Sequence, residues 1–194
     1  MSSARVQTKI CGLSTPAAVA AALDGGAAWL GFMFFEASPR AVSPETARRL
    51  AEPARILAPD IIQLHGRESP ERVRAVTQRT GARTIKVCHV SEAADIEAGL
   101  RYEGCADHLM FEARPPKDSP LPGGVGARFD WDLMAHRRPS RPWLLAGGLD
   151  PWNVEEAIAR SGAPAVDVSS GVERGPGLKD PALITAFLDA VRRA

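Results

Sequence analysis

Two sets of residues stand out for the chemistry they could do. The first is a thiol. Cys11 closes the short apolar run "VQTKIC" (6–11), and Gly12 and a helix-start signal follow at once. Val6, Ile10 and Cys11 suit a buried pleated strand. Gly12 permits backbone angles that other residues resist, and Ser14 or Thr15 can cap a helix whose first turn holds Pro16. A cysteine at the mouth of such a turn is either a small apolar filler or a group placed to react. The second set is a pair of glycine-rich segments, "AGGLDPWNV" (146–154) and "DVSSGVERGPGLKD" (167–180). Gly147 and Gly148, with Ser170 and Gly171, let backbone N–H groups approach an anion. One such pair is often just a tight turn; two of them, each after a strand run late in the chain, point to a phosphate.

These residues need a scaffold. Seven apolar runs, 6–11, 28–34, 60–65, 84–90, 107–112, 143–148 and 165–171, alternate with helix-like stretches. Most of those stretches open with Ser, Thr or Asp followed by Pro or an acidic residue. The runs are nearly continuous in apolar residues, as strands covered on both faces are. Strand–helix alternation implies a parallel sheet, open or closed into a barrel. The chemistry-bearing residues all fall at the carboxyl ends of runs, which a barrel gathers on one face. No GxGxxG follows the first run and no GxxxxGK[ST] occurs, which argues against nucleotide folds. Segment 113–131 is the longest irregular stretch, of the kind that forms lids or binding loops.

Composition narrows the class further. With 194 residues, 45% hydrophobic, and a net charge of +1, the chain is expected to form one domain with a sizeable core. It lacks the basic face of a nucleic-acid binder, and it has neither an apolar run long enough to span a membrane nor the core of a signal peptide. Cys11, Cys88 and Cys105 form no CxxC pair and no zinc spacing; three unpaired thiols suit a reducing cytoplasm.

Taken together, "KICGL" (9–13), "SPR" (38–40), "QLHG" (63–66), "GGVGARFDW" (123–131), "AGGLDPWNV" and "DVSSGVE" followed after one residue by "GPGLKD" resemble phosphoribosylanthranilate isomerase of tryptophan biosynthesis. The resemblance runs from about residue 5 to the C-terminus. It implies an eight-stranded (βα)8 barrel and a cofactor-free, metal-free isomerase acting on N-(5-phosphoribosyl)anthranilate, a small phosphorylated aminosugar, as a monomer or a homodimer. An acid must protonate the ring oxygen to open the sugar, and a base must then remove the C2 proton. The resemblance gives the base to Cys11, acting as thiolate, and the acid to Asp130, its pKa raised by burial beside Phe129 and Trp131. It gives Arg40 the anthranilate carboxylate, which a guanidinium grips in a planar fork. Gln63 and His65 either line the sugar site or satisfy buried polar groups, Asp130 can also cap a helix, and Cys88 and Cys105 read as structural. The alternatives are another phosphate-binding barrel, such as indole-glycerol-phosphate synthase, whose lysine and glutamates have no clear counterparts here, and a non-catalytic sugar-phosphate binder.

Three features depart from the family. Glu112 stands where it more often has aspartate, and "VCHV" (87–90) is unusual on its strand. The third is a shortfall: seven strand runs where an eight-stranded barrel needs eight. Between "SPETARRLAEPAR" and "ILAPDIIQLHG" there is no room for a third strand and its helix. The expectation is that a segment of roughly 25 residues, one βα unit, is missing near Arg55–Ile56, either unrecorded or deleted. A Cα separation there above about 3.8 Å would mark the break.

Overall fold

The computed structural model describes residues 5–54, 59–115, 123–124, 126–135 and 137–194. Seven strands form one parallel sheet: β1 (Gln7–Cys11), β2 (Trp29–Gly31), β3 (Ile61–Leu64), β4 (Arg83–Val90), β5 (His108–Ala113), β6 (Trp143–Ala146) and β7 (Ala165–Val168). Five lie within the runs read from the sequence; β4 begins one residue before its run and β5 ends one residue after its own. Six helices cover them: α1 (Pro16–Asp24), α2 (Pro44–Ala51), α3 (Pro70–Thr80), α4 (Ala93–Leu100), α5 (Val154–Ser161) and α6 (Pro181–Arg193). Four of these begin alike. Thr15, Ser43, Ser69 and Asp180 each accept a hydrogen bond from an N–H of the first turn, with proline right behind. The proline costs nothing there, because its missing N–H would have had no helical partner.

The strand order is β2-β1-β7-β6-β5-β4-β3. First and last strands therefore pair, with Lys9 opposite Asp167, and the sheet curls round on itself. The one pair of successive strands that are not neighbours is β2 and β3, the two edges. The expected eight-stranded barrel is thus seven-stranded, with no β2–β3 ladder among the described residues. The Arg55–Ile56 junction lies outside the described residues.

Side chains alternate between two environments, as strand geometry requires. Ile10, Leu109, Phe111, Leu145, Val166 and Val168 face the helices and pack with Val19, Val154, Ile184 and Phe187. Ile85, Val87, Met110, Leu144, Ala146 and Ala165 face inward with Trp29 and Ile61. That double burial is why the runs look continuous rather than alternating. Followed two residues at a time towards the carboxyl ends, the inward positions turn polar: Cys11, His65, His89, Glu112 and Asp167. After β7, a 3₁₀ turn (Ser170–Val172) leads into an antiparallel hairpin, β8 (Glu173–Gly175) and β9 (Leu178–Lys179), that folds over this polar end.

Candidate active site

Cys11 is the last residue of β1 and is 7% exposed. Lys9 lies two residues back on the same face, and its Nζ donates to Asp167 Oδ1 at 2.7 Å. Burial works against the Lys9 ammonium, but Asp167 and Cys11 together hold its pKa above the lysine value. For Cys11 the balance goes the other way. Burial pushes the thiol up, Lys9 and Lys179 oppose this, and Asp167 adds to the rise, so the net shift is upward. Lys9 is the strongest influence drawing the thiol down, but it is shared with Asp167, and burial outweighs it. The net shift therefore runs against the thiolate expected from nearby positive charge. Burial also pushes Cys88 up, to about 11, in keeping with a structural role.

Arg40 is buried, and its guanidinium is already engaged. Nε donates to Glu173 Oε1 at 2.7 Å and Nη2 to Oε2 at 2.9 Å, while Nη2 also reaches the Gly124 carbonyl at 3.3 Å. Glu173 also accepts from the Lys179 ammonium and from the Gly177 N–H. Burial would raise the Glu173 pKa, but Arg40 and Lys179 outweigh it and hold the carboxyl below its usual value. Burial in turn pushes Lys179 down. Glu173 is thus the hub that fixes Arg40 at the mouth of the barrel. A cavity of about 400 Å³ opens beside it, lined by Arg40, Gly124, Ser170 and Arg174 among others.

The structure brings the two glycine-rich turns together. Gly147 and Gly148 have φ of 92° and 62°, a region that side chains avoid. A Cβ on Gly171 would lie 1.8 Å from the Leu149 carbonyl oxygen, so only glycine lets the turn after β7 pass the turn after β6. The Ser169 hydroxyl donates to the Cys11 carbonyl at 3.3 Å and ties this region to the end of β1. Gln63 and His65 also meet, Nε2 to Nδ1 at 3.4 Å. His65 Nε2 lies 2.9 Å from Glu112 Oε2.

Asp130 does not join them. Its carboxylate accepts from the Asp132 N–H at 3.2 Å, capping a 3₁₀ turn (Trp131–Met134), and is bound by Arg160 of α5 at 2.6 Å. The side chain is 58% exposed. The burial expected from Phe129 and Trp131 is absent, because the extended chain alternates: both aromatics are buried, so the residue between them faces out. Segment 113–131 itself lies partly outside the described residues.

Sequence reasoning missed Asp167, Glu173, Lys179 and Arg174, and left Glu112 without a role. Asp167, Glu173 and Lys179 sit inside a recognised motif, but Asp167 and Glu173 meet partners, Lys9 and Arg40, that lie far along the chain, and Lys179 pairs with Glu173 through the β8–β9 hairpin. Arg174 fills the one unmatched position of that motif and lines the cavity.

Comparisons with known proteins bear on all of this. A model of the N-(5'-phosphoribosyl)anthranilate (PRA) isomerase family matches residues 54–190. The N-(5'-phosphoribosyl)anthranilate isomerase of Caulobacter vibrioides is 58% identical over 209 residues, covering 96% of this chain and 95% of its own length. That alignment is longer than the 194-residue chain, so it contains positions this chain lacks. The crystal structure of phosphoribosyl anthranilate isomerase from Thermotoga maritima superposes with a TM-score of 0.82 at 31% identity, covering 97% of this chain and all of that one. A structure of phosphoribosyl anthranilate isomerase in complex with reduced 1-(o-carboxyphenylamino)-1-deoxyribulose 5-phosphate superposes at 0.79 with 30% identity, covering 97% of this chain and all of that one. With a curled parallel sheet, a cysteine closing its first strand and paired glycine turns after its last two, the chain belongs to the N-(5'-phosphoribosyl)anthranilate isomerase family.

Proposed function

We propose that this chain converts N-(5-phosphoribosyl)anthranilate to 1-(2-carboxyphenylamino)-1-deoxyribulose 5-phosphate by an Amadori rearrangement, as a cytoplasmic enzyme of tryptophan biosynthesis. The observation that carries the reading is the β1–β7 junction. It sets Cys11 beside Lys9, Asp167 and Lys179 at the carboxyl end of the sheet, next to the turns of Gly147, Gly148, Ser170 and Gly171.

The substrate phosphate is assigned to those turns, whose N–H groups are neutral donors. Arg40, held by Glu173, and Arg174 face the cavity that would take the anthranilate carboxylate, and Gln63 and His65 line the sugar. Cys11 is the base at C2. Burial and the neighbouring Asp167 carboxylate hold its pKa above the ordinary thiol value, so the thiolate that acts as base grows as pH rises. The acid is assigned to Asp130 by family resemblance. To reach the ring oxygen its carboxylate must leave Arg160 and turn inward, whereas Asp167 is already inside. Loss of phosphoribosylanthranilate fluorescence measures turnover directly. Asp130→Asn is expected to abolish it; if that variant works and Asp167→Asn does not, the acid is the inner carboxylate. Binding of a product analogue with no turnover would leave a sugar-phosphate binder, the reading to which the open edges lend weight.

We further propose that the chain lacks one βα unit between α2 and β3. Among the described strands of the parallel sheet, the only successive pair that are not neighbours flanks that point, and the alignment with the Caulobacter relative exceeds this chain's length. The intact mass of the protein expressed from its gene tests this. A mass of 20.7 kDa means a true deletion, and a mass higher by one unit means a segment missing from the sequence.

A further inference from the structure

Both inward-facing departures from the family pattern meet at one point. His89 and Glu112 are register partners on β4 and β5, and His65 closes on them from the end of β3. One ring nitrogen of each histidine and a Glu112 oxygen all lie within 4.8 Å of one another. The two rings are 5.4 Å apart. Glu112 is 8% exposed. Its Oε1 accepts the Gly124 N–H at 3.3 Å. Its Oε2 lies 2.9 Å from His65 Nε2, yet neither atom has a hydrogen-bond partner. The ring nitrogen and the carboxylate oxygen are close but off the hydrogen-bond axis, each directed past the other. A Cβ on Gly123 would come within 2.8 Å of both side chains, so glycine keeps that space open.

We propose that His65, His89 and Glu112 form a binding site for one divalent transition-metal ion of the zinc class. Two neutral imidazoles and one carboxylate supply a net charge of −1 and the donor set that zinc accepts in tetrahedral sites with one open position. Tetrahedral bonds of about 2.1 Å place donors roughly 3.4 Å apart, a contraction that side-chain rotation provides from the present spacing. Imidazole donors favour Zn²⁺, Ni²⁺ or Cu²⁺ over Mg²⁺ and Ca²⁺, which take oxygen ligands. The ligands come from three strands and are more than twenty residues apart, which is why no compact spacing motif reveals them.

The test is equilibrium dialysis of the metal-stripped protein against Zn²⁺, with metal measured by elemental analysis. It reads no turnover, so it stands or falls apart from the isomerase reading. One zinc per chain is expected. His89→Ala and Glu112→Gln, each checked for fold by circular dichroism, should weaken binding at least tenfold, and Cys11→Ala should leave it unchanged. Substitution by Co²⁺ should give the visible bands of a nitrogen–oxygen site. Absence of stoichiometric zinc, equal binding by both ligand variants, or a thiolate-to-cobalt charge-transfer band would each overturn the proposal.

Discussion

The β7–β1 junction and the β2–β3 edges are two regions of one sheet with opposite properties. At the junction every residue of β7 is buried, and a charged pair sits between the strands with its side chains 7% and 10% exposed. At the edges every residue of β2 and β3 is only half-buried, and just beyond β2 the chain exposes Phe34 (55%) and Phe35 (49%). The charged groups around Cys11 gather where the sheet is sealed. A buried ion pair is tolerable only with good geometry and no water, and a paired strand on each side supplies both. An edge strand offers neither.

The largest expected effect tests the sealed side. Cys11→Ala should lower turnover by roughly 10²–10⁴-fold with the circular dichroism spectrum unchanged, and Cys11→Ser should fail as well, since a hydroxyl is a far weaker base. Because the thiol pKa is raised, wild-type kcat/KM should still be climbing with pH beyond the ordinary thiol value of about 8.5. A profile flat from neutrality to that value would take the base role from Cys11.

Next comes the pair itself. Asp167→Asn leaves the Lys9 ammonium buried without its counter-charge, which should cost about 3–5 kcal/mol in urea unfolding. A loss below about 1 kcal/mol would mean that water reaches the junction after all.

A matched pair of truncations then compares the two regions directly. Leu145→Ala, fully buried in β6, should cost about 2–5 kcal/mol. Leu64→Ala, half-buried at the β3 edge, should cost about half as much, because less area is lost and no closed cavity forms. Equal costs would mean that the edge is covered in solution.

The smallest effect is acid lability. Arg40 and Lys179 lower the Glu173 pKa, so its contribution to stability is complete above the unfolded-state value of 4.5 and is lost as pH falls through the folded value. Thermal midpoints should therefore fall below about pH 4.5, and by less in Glu173→Gln.

The sequence made the repeating architecture legible, because each strand carries two-faced apolar character and most helices carry a cap next to a proline. Cys11 and the glycine turns were legible because single residue types at strand ends are unusual. Pairings that depend on register were not. Nothing local in "KICGL" or "DVSSGVE" says that Lys9 faces Asp167, 158 residues away, or that Arg40 is gripped by Glu173. Asp130 misled for a different reason. Apolar neighbours in sequence suggest burial, but in extended chain the immediate neighbours point the opposite way.

The β1–β7 pairing also sets the order in which the site can come into being. From β3 to β6, each strand pairs with the next in the chain, so these contacts are short-range and quick to form. The contact that puts Asp167 beside Lys9 joins distant parts of the sequence and needs the longest loop closure of any strand pairing among the described residues. A chain emerging from the ribosome would hold a largely assembled sheet and its inward histidines well before Cys11 acquires its charged surroundings. The thiol becomes a buried, insulated group only when the seventh strand arrives, so the reactive end is the last part of the parallel sheet to be completed.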